Sequence, residues 1–254
     1  RFDDLRVSVS SVRAATVTPK LAAVLAGRGS KSLTIAIESG SERMRRVVNK
    51  KLSGEEIEAA ARHAKQGGLK ALKLYGMVGL PCEDNDDVES TAALLLSLKK
   101  GTPGLRFTLG VSTFVPKAHT PFQWQGVRPE AEKRLKLLAK RLKPKGIDLR
   151  PESYGWSVIQ ALLSRSDRRL APVIAAVRGS QESLGGWKKA YRAALAGELP
   201  EARSAGVVLP LPPSWESVVH DEWASDAVLP WCHLDGPLSQ EKLQEHRQEA
   251  LNLG

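Results

Sequence analysis

The chain has 254 residues, 42% of them hydrophobic, enough for one large domain or two small ones with a proper core. No apolar run reaches the roughly 18 residues of a membrane-spanning helix, and the two cysteines, Cys82 and Cys232, are too few for a disulfide framework and lack zinc spacing, so a cytoplasmic, reducing setting without a membrane partner is expected. Residues 1–150 hold 28 Lys and Arg against 15 Asp and Glu, whereas residues 151–254 hold 10 against 13; the front portion can attract polyanions, nucleic acid among them, or simply present a solvated surface.

The first segment, LRVSVSS (5–11), alternates as a strand does. A helix follows from Thr18 as N-cap and Pro19 at its first position to a stop at Gly27 and Gly29. LTIAIES (33–39) is the next strand, and SERMRRVVNK (41–50) a short basic helix capped by Ser41. Ser53 with Glu56 forms a capping box for a helix that stops at Gly67 and Gly68. KALKLYGMVGLP (70–81) is a strand, residues 85–100 a helix that begins acidic and ends basic, and RFTLGVSTFVP (106–116) a fourth strand. Apolar strand runs alternating with helices indicate an α/β fold with a parallel sheet. After residue 124 the strand signals stop: a basic amphipathic helix covers 128–146, two short helices 154–179 with Asp167 capping the second, another 185–199, and a polar helix runs from Ser239 to the end. A proline-rich stretch over 203–214 reads as an extended linker.

Ligands of parallel α/β sheets bind at the carboxyl ends of the strands. Those ends read IESGSER, GMVGLPCED and STFVPKAHTPFQW, whereas the strand starts are unremarkable. Glu38 is a carboxylate at the end of an apolar strand, suited to a ribose hydroxyl or a ligand amine, or to capping the next helix. Gly76 and Gly79 let a backbone approach a flat ligand closely, or simply make a tight strand exit. Pro116 and Pro121 bracket Lys117, His119 and Thr120 in a loop that fixes polar groups.

TIAIESGSERMRRVVNK (34–50), LKLYGMVGLPCED (72–84) and VSTFVPKAHTPFQW (111–124), in this order, resemble the second half of a radical S-adenosylmethionine (radical SAM) core. The nearest resemblance is to radical SAM proteins with an N-terminal cobalamin-binding-type domain; LLSRSDRRLAPVI (162–174) and DAVLPWCHLDGPLS (226–239) also look like that group, which usually has Asp where this chain has Cys232. The resemblance implies the C-terminal part of a partial (βα)6 TIM-type barrel, about four parallel strands, followed by a mostly helical tail. On that basis the chain divides into a barrel portion over 1–124, a helical extension over 125–202, and a proline-rich linker with C-terminal tail over 203–254. The family's C-x3-C-x2-C motif holds a four-iron four-sulfur cluster that cleaves S-adenosylmethionine to a 5′-deoxyadenosyl radical. The resemblance further implies that Glu38 meets the ribose hydroxyls and Lys50 the methionine carboxylate. It places Tyr75 near a second ribose position, turns the Gly76–Gly79 exit away from the nucleoside, and has Val115 and Pro116 present backbone to the adenine. Lys117, His119 and Thr120 are substrate-facing candidates.

This sequence has no such cysteine triad, and its first strand resembles the family's third. It opens on RFDDLRVSVSS, without an initiator Met. The expectation is therefore a fragment, inactive alone, whose partner is the missing N-terminal portion carrying the cluster ligands; cobalamin use by the parent is open. The alternative is a non-catalytic, degenerate RNA- or ribosome-associated protein, although the aromatics do not interleave with the basic runs. An ordinary TIM-barrel enzyme with a phosphate site lacks its Gly-rich loop here.

Overall fold

The computed structural model describes residues 7, 9–178, 182–199 and 214–254. They fall into two compact units, one comprising Arg1–Ser112, Glu130–Glu152 and Ala250–Gly254, the other Thr113–Pro129 and Ser153–Glu249.

The first unit is built on a four-stranded sheet in the order β1 (Ser32–Glu38), β2 (Ala71–Val78), β3 (Arg106–Thr113) and β4 (Asp148–Pro151). β1 pairs with β2, and β3 with β4, in parallel. The helices are α1 (Pro19–Gly27), α2 (Glu42–Val47), α3 (Gly54–Gln66), α4 (Asn85–Gly101) and α5 (Glu130–Leu142). The expected caps are present: Thr18 accepts the Leu21 N–H, and Ser53 with Glu56 closes a capping box. Asp84 and Asp87 close a second box at α4, where Asp84 was not read as a cap. Gly67, at the end of α3, lies so close to α1 that a Cβ there would come within 2.3 Å of the Ala22 methyl. The α/β architecture read from the sequence is thus observed, consistent with a partial TIM-type barrel.

Two details differ from the sequence reading. A strand is present after residue 124: β4 runs beside β3 from Thr108↔Asp148 to Val111↔Pro151. It is four residues long, charged at alternate positions and ends on proline, so it gives no apolar run; the proline is tolerated because the strand lies at the sheet edge. Of the strand expected over 5–11, residues 5, 6 and 8 lie outside the described residues and residues 7 and 9–11 are not in a strand; their neighbour Val12 makes an isolated parallel bridge to Ile35.

Burial alternates along the strands. Leu33, Ile35 and Ile37 of β1, Leu72 and Leu74 of β2, and Phe107 and Leu109 of β3 are buried. The intervening positions are more open, except Thr34 of β1, which is buried. Where β2 leaves the sheet, Glu83 is buried; its Oε2 accepts from the Gly79 N–H at 2.6 Å and from Arg134 of α5 at 2.9 Å, and Arg134 also donates to the Glu83 carbonyl at 2.6 Å. Burial pushes the Glu83 carboxyl up to about 7, against the downward pull of Gly79 and Arg134.

In the second unit, α6 (Tyr154–Ser164), α7 (Ala171–Val177), α8 (Leu184–Leu195) and α9 (Trp215–Val219) surround a core that includes Leu162, Val173, Trp187, Tyr191 and Trp215. Asp167 caps the turn before α7, as expected, by accepting from the Arg169 N–H. Trp124, Leu229, Trp231 and Leu243 of α10 (Gln240–Asn252) form a smaller cluster. Arg165, 1% exposed, ties three segments together: it donates to the carbonyls of Val218 (2.6 Å), Asp221 (2.9 Å) and Trp124 (3.4 Å) and stacks 3.9 Å from the centre of the Trp223 ring. The linker expected over 203–214 lies outside the described residues except for Ser214, which caps α9.

Two stability predictions follow from these buried charges. Glu83→Ala removes charge and acceptor together, leaves Arg134 buried without a partner and is expected to cost about 3 kcal/mol, whereas Glu83→Gln removes the charge but keeps an acceptor for Gly79 and Arg134 and costs about 1 kcal/mol; urea unfolding of the two variants measures the difference, and equal losses would refute the acceptor role of the Glu83 side chain. Arg165→Leu orphans buried carbonyls and is expected to cost about 3 kcal/mol, read as a lowered denaturation midpoint.

Candidate nucleoside-binding groove

The open face of the sheet is assembled by the period of two. On β2 it carries Lys73, Tyr75 and Met77; on β3, Thr108, Gly110 and Ser112. Parallel pairing lines Thr34 up with Lys73, and Ala36 with Tyr75, on β1, and Asp148 with Thr108, and Arg150 with Gly110, on β4. A groove of about 370 Å³ runs along this face, lined among others by Glu38, Lys73, Tyr75, Gly110, Arg150 and Glu152.

Glu38 stands at the end of β1 with a positive φ of 62°. The β1–β2 register slips between Ala36 and Glu38, so that Gly76 and not Met77 faces Glu38. A Cβ on Gly76 would sit 3.1 Å from the Glu38 carbonyl oxygen, a tight approach for any other residue. The loop after Glu38 is held by buried polar groups. Arg45, 2% exposed, donates to the carbonyls of Ser39 (2.9 Å), Gly40 (3.0 Å) and Leu52 (2.8 Å). Ser41 accepts the Met44 N–H as the α2 cap and donates to Asp87 at 2.6 Å. Burial opposes the Asp87 charge, but the bonds from Ser41, the Asp84 N–H and Arg43 together hold its carboxyl below the usual range. Helix capping is thus done by Ser41, leaving Glu38 for another partner.

That partner is Lys50, whose Nζ lies 2.9 Å from Glu38 Oε1 with both side chains partly exposed. The structure therefore brings Glu38, Lys50, Tyr75 and Gly76 into one neighbourhood. Tyr75 is 53% exposed, and its ring lies across Gly110, where a Cβ would meet the ring at 2.5 Å. Gly79 lies beyond the strand end with φ of 79°, and its N–H is taken by Glu83. The glycine thus serves an internal carboxylate.

Val115, Pro116, Lys117, His119 and Thr120 belong to the second unit. Val115 is part of that unit's core and Pro116 is buried. Thr120 donates to the Lys117 carbonyl at 2.7 Å, and the His119 N–H donates to Gln123 at 3.0 Å; His119 has a positive φ of 55°. Sequence reasoning missed Lys73, Gly110, Arg150 and Glu152. The signal was the alternation K-x-Y-x-M and T-x-G-x-S inside strands read as continuous apolar runs.

The fit of this chain to an iron–sulfur cluster is poor. Two cysteines cannot supply three thiolates, both are free, and among the described residues no group of three His, Cys, Asp or Glu side chains could hold a metal ion. Among the same residues no helix is long and apolar enough to cross a membrane.

Residues 3–95, which include β1, β2 and the start of α4, match the family model described as Radical SAM superfamily. The chain is also similar to the uncharacterized protein MJ0966 of Methanocaldococcus jannaschii, 34% identical over 172 residues, covering 67% of this chain. This chain spans 38% of the length of that relative.

Proposed function

We propose that this chain supplies the S-adenosylmethionine-binding wall of a radical SAM enzyme, with the cluster-holding cysteines contributed by polypeptide outside these 254 residues. The observation that carries the reading is the groove on the polar sheet face, bordered by Glu38, Tyr75 and Gly76, within the stretch that matches the family. Its parts suit a nucleoside. Glu38 Oε1 is taken by Lys50, and the second carboxylate oxygen is available to ribose hydroxyls. The Tyr75 ring, resting on Gly110, offers its other face for stacking, and Gly76 brings bare backbone near the ligand. Lys50 supplies a cation for the methionine carboxylate. Because the chain does not itself fit a cluster, its part is to bind and orient S-adenosylmethionine and to limit its contact with water.

The test is calorimetric titration of S-adenosylmethionine into this chain. Saturable binding is expected, weakened about tenfold by Glu38→Ala through loss of a charged hydrogen-bond acceptor. Gly110→Ala, which displaces the Tyr75 ring, should weaken binding without lowering the unfolding midpoint, since a side chain and not backbone must move. No saturable binding at millimolar ligand, together with a salt-dependent RNA mobility shift, would replace this reading with the nucleic-acid alternative that the 28 Lys and Arg of residues 1–150 allow.

A further inference from the structure

Two segments of the second unit, each singled out in the sequence and neither used by the nucleoside groove, meet at one cavity. Ser166, Asp167, Arg168 and Arg169, from the turn before α7, line it on one side; Pro230, Trp231, His233 and Leu234, from the loop before α10, line it on the other. The cavity is open and about 790 Å³ in volume, within the range of small-molecule sites.

Its charges are unequally committed. Asp167 accepts from the Arg169 backbone N–H at 2.9 Å and from the Arg169 guanidinium at 2.8 Å, so its charge is spent on its neighbour. Arg168 is exposed and makes no ion pair among the described residues. His233, also in the lining, is exposed. The Ser166 hydroxyl oxygen is buried beneath the lining, out of reach of a ligand in the cavity. The opposite wall is apolar and firmly set: the Trp231 indole N–H donates to Gln123 at 2.7 Å, Gln123 is fully buried, and its Nε2 donates to Gln240 at 2.8 Å. Leu234 is 56% exposed, a large apolar side chain presented to whatever enters.

We propose that this cavity binds a small organic anion, its phosphate or carboxylate held by Arg168 and His233, and its apolar body laid against Pro230 and Leu234. Arg168 supplies the planar guanidinium that suits either oxyanion, and the apolar wall distinguishes the ligand from free inorganic phosphate. A nucleic acid strand is disfavoured, because Trp231 is only 7% exposed and offers no stacking platform.

The experiment is titration of this chain with phenyl phosphate, benzoate, inorganic phosphate and benzamidine, followed by calorimetry and saturation-transfer NMR. Saturable binding of phenyl phosphate or benzoate is expected, the tighter of the two naming the anion, with inorganic phosphate weaker and benzamidine not bound. Arg168→Ala should weaken the aryl anion about tenfold, and Leu234→Ser should weaken the aryl anion but leave inorganic phosphate unchanged. His233→Ala should also weaken the aryl anion. Both Arg168 and Leu234 are exposed, and an exposed Lys242→Ala variant controls for general loss of charge. Absence of saturable binding by either aryl anion, or binding indifferent to Arg168→Ala, would overturn the assignment. Because S-adenosylmethionine titration reads the first unit and these probes read the second, failure of one leaves the other intact.

Discussion

A parallel sheet has two faces, and this one spends its hydrophobicity on a single side. Leu33, Ile35 and Ile37, Leu72 and Leu74, and Phe107 and Leu109 bury their side chains on one face. Burial of each such residue is worth on the order of 1.5–3 kcal/mol, and a strand shifted by one residue would forfeit the whole set. The register is therefore fixed by the core, and everything on the opposite face inherits its position from it. Lys73, Tyr75, Gly110 and Arg150 are placed without any interaction of their own needing to be strong.

The points at which the chain leaves regular structure are secured differently, by buried charge directed at backbone. Arg45 gathers three carbonyls after β1, Arg134 and Glu83 close the exit of β2, and Arg165 gathers three carbonyls in the second unit. Burial lowers the proton affinity of Arg45 and Arg165 and raises that of Glu83. Each pays a desolvation cost that a methylene of similar size would not. What the fold obtains in exchange is loop backbone held by several directed bonds, in the first unit next to strand ends where a ligand would need fixed groups.

Much of this was legible in the sequence, because caps and strand runs are local. Thr18, Ser41, Ser53 and Asp167 cap where their spacing says they do. β4 was not legible, since a four-residue edge strand of alternating charge has no hydrophobic signature. Nor was the Glu38–Lys50 pair, which depends on a left-handed residue and a slipped register, neither of which composition reports. Glu83 stood out as an acid beyond a glycine-rich exit, but its partner Arg134 lies 51 residues away in a helix that reads as a solvated basic face. Long-range pairing of this kind is set by tertiary packing and leaves no periodic trace.

The resting place of Tyr75 has a consequence for the groove itself. Its ring lies on the bare backbone of Gly110, and among the described residues no hydrogen bond anchors its hydroxyl. Turning the ring aside sacrifices only weak dispersion contacts, each about 0.1–0.2 kcal/mol per atom pair, and exposed rotamers interconvert in picoseconds to nanoseconds. Rotation of this one side chain would uncover the Gly110 backbone and deepen the hollow without any motion of the strands beneath it.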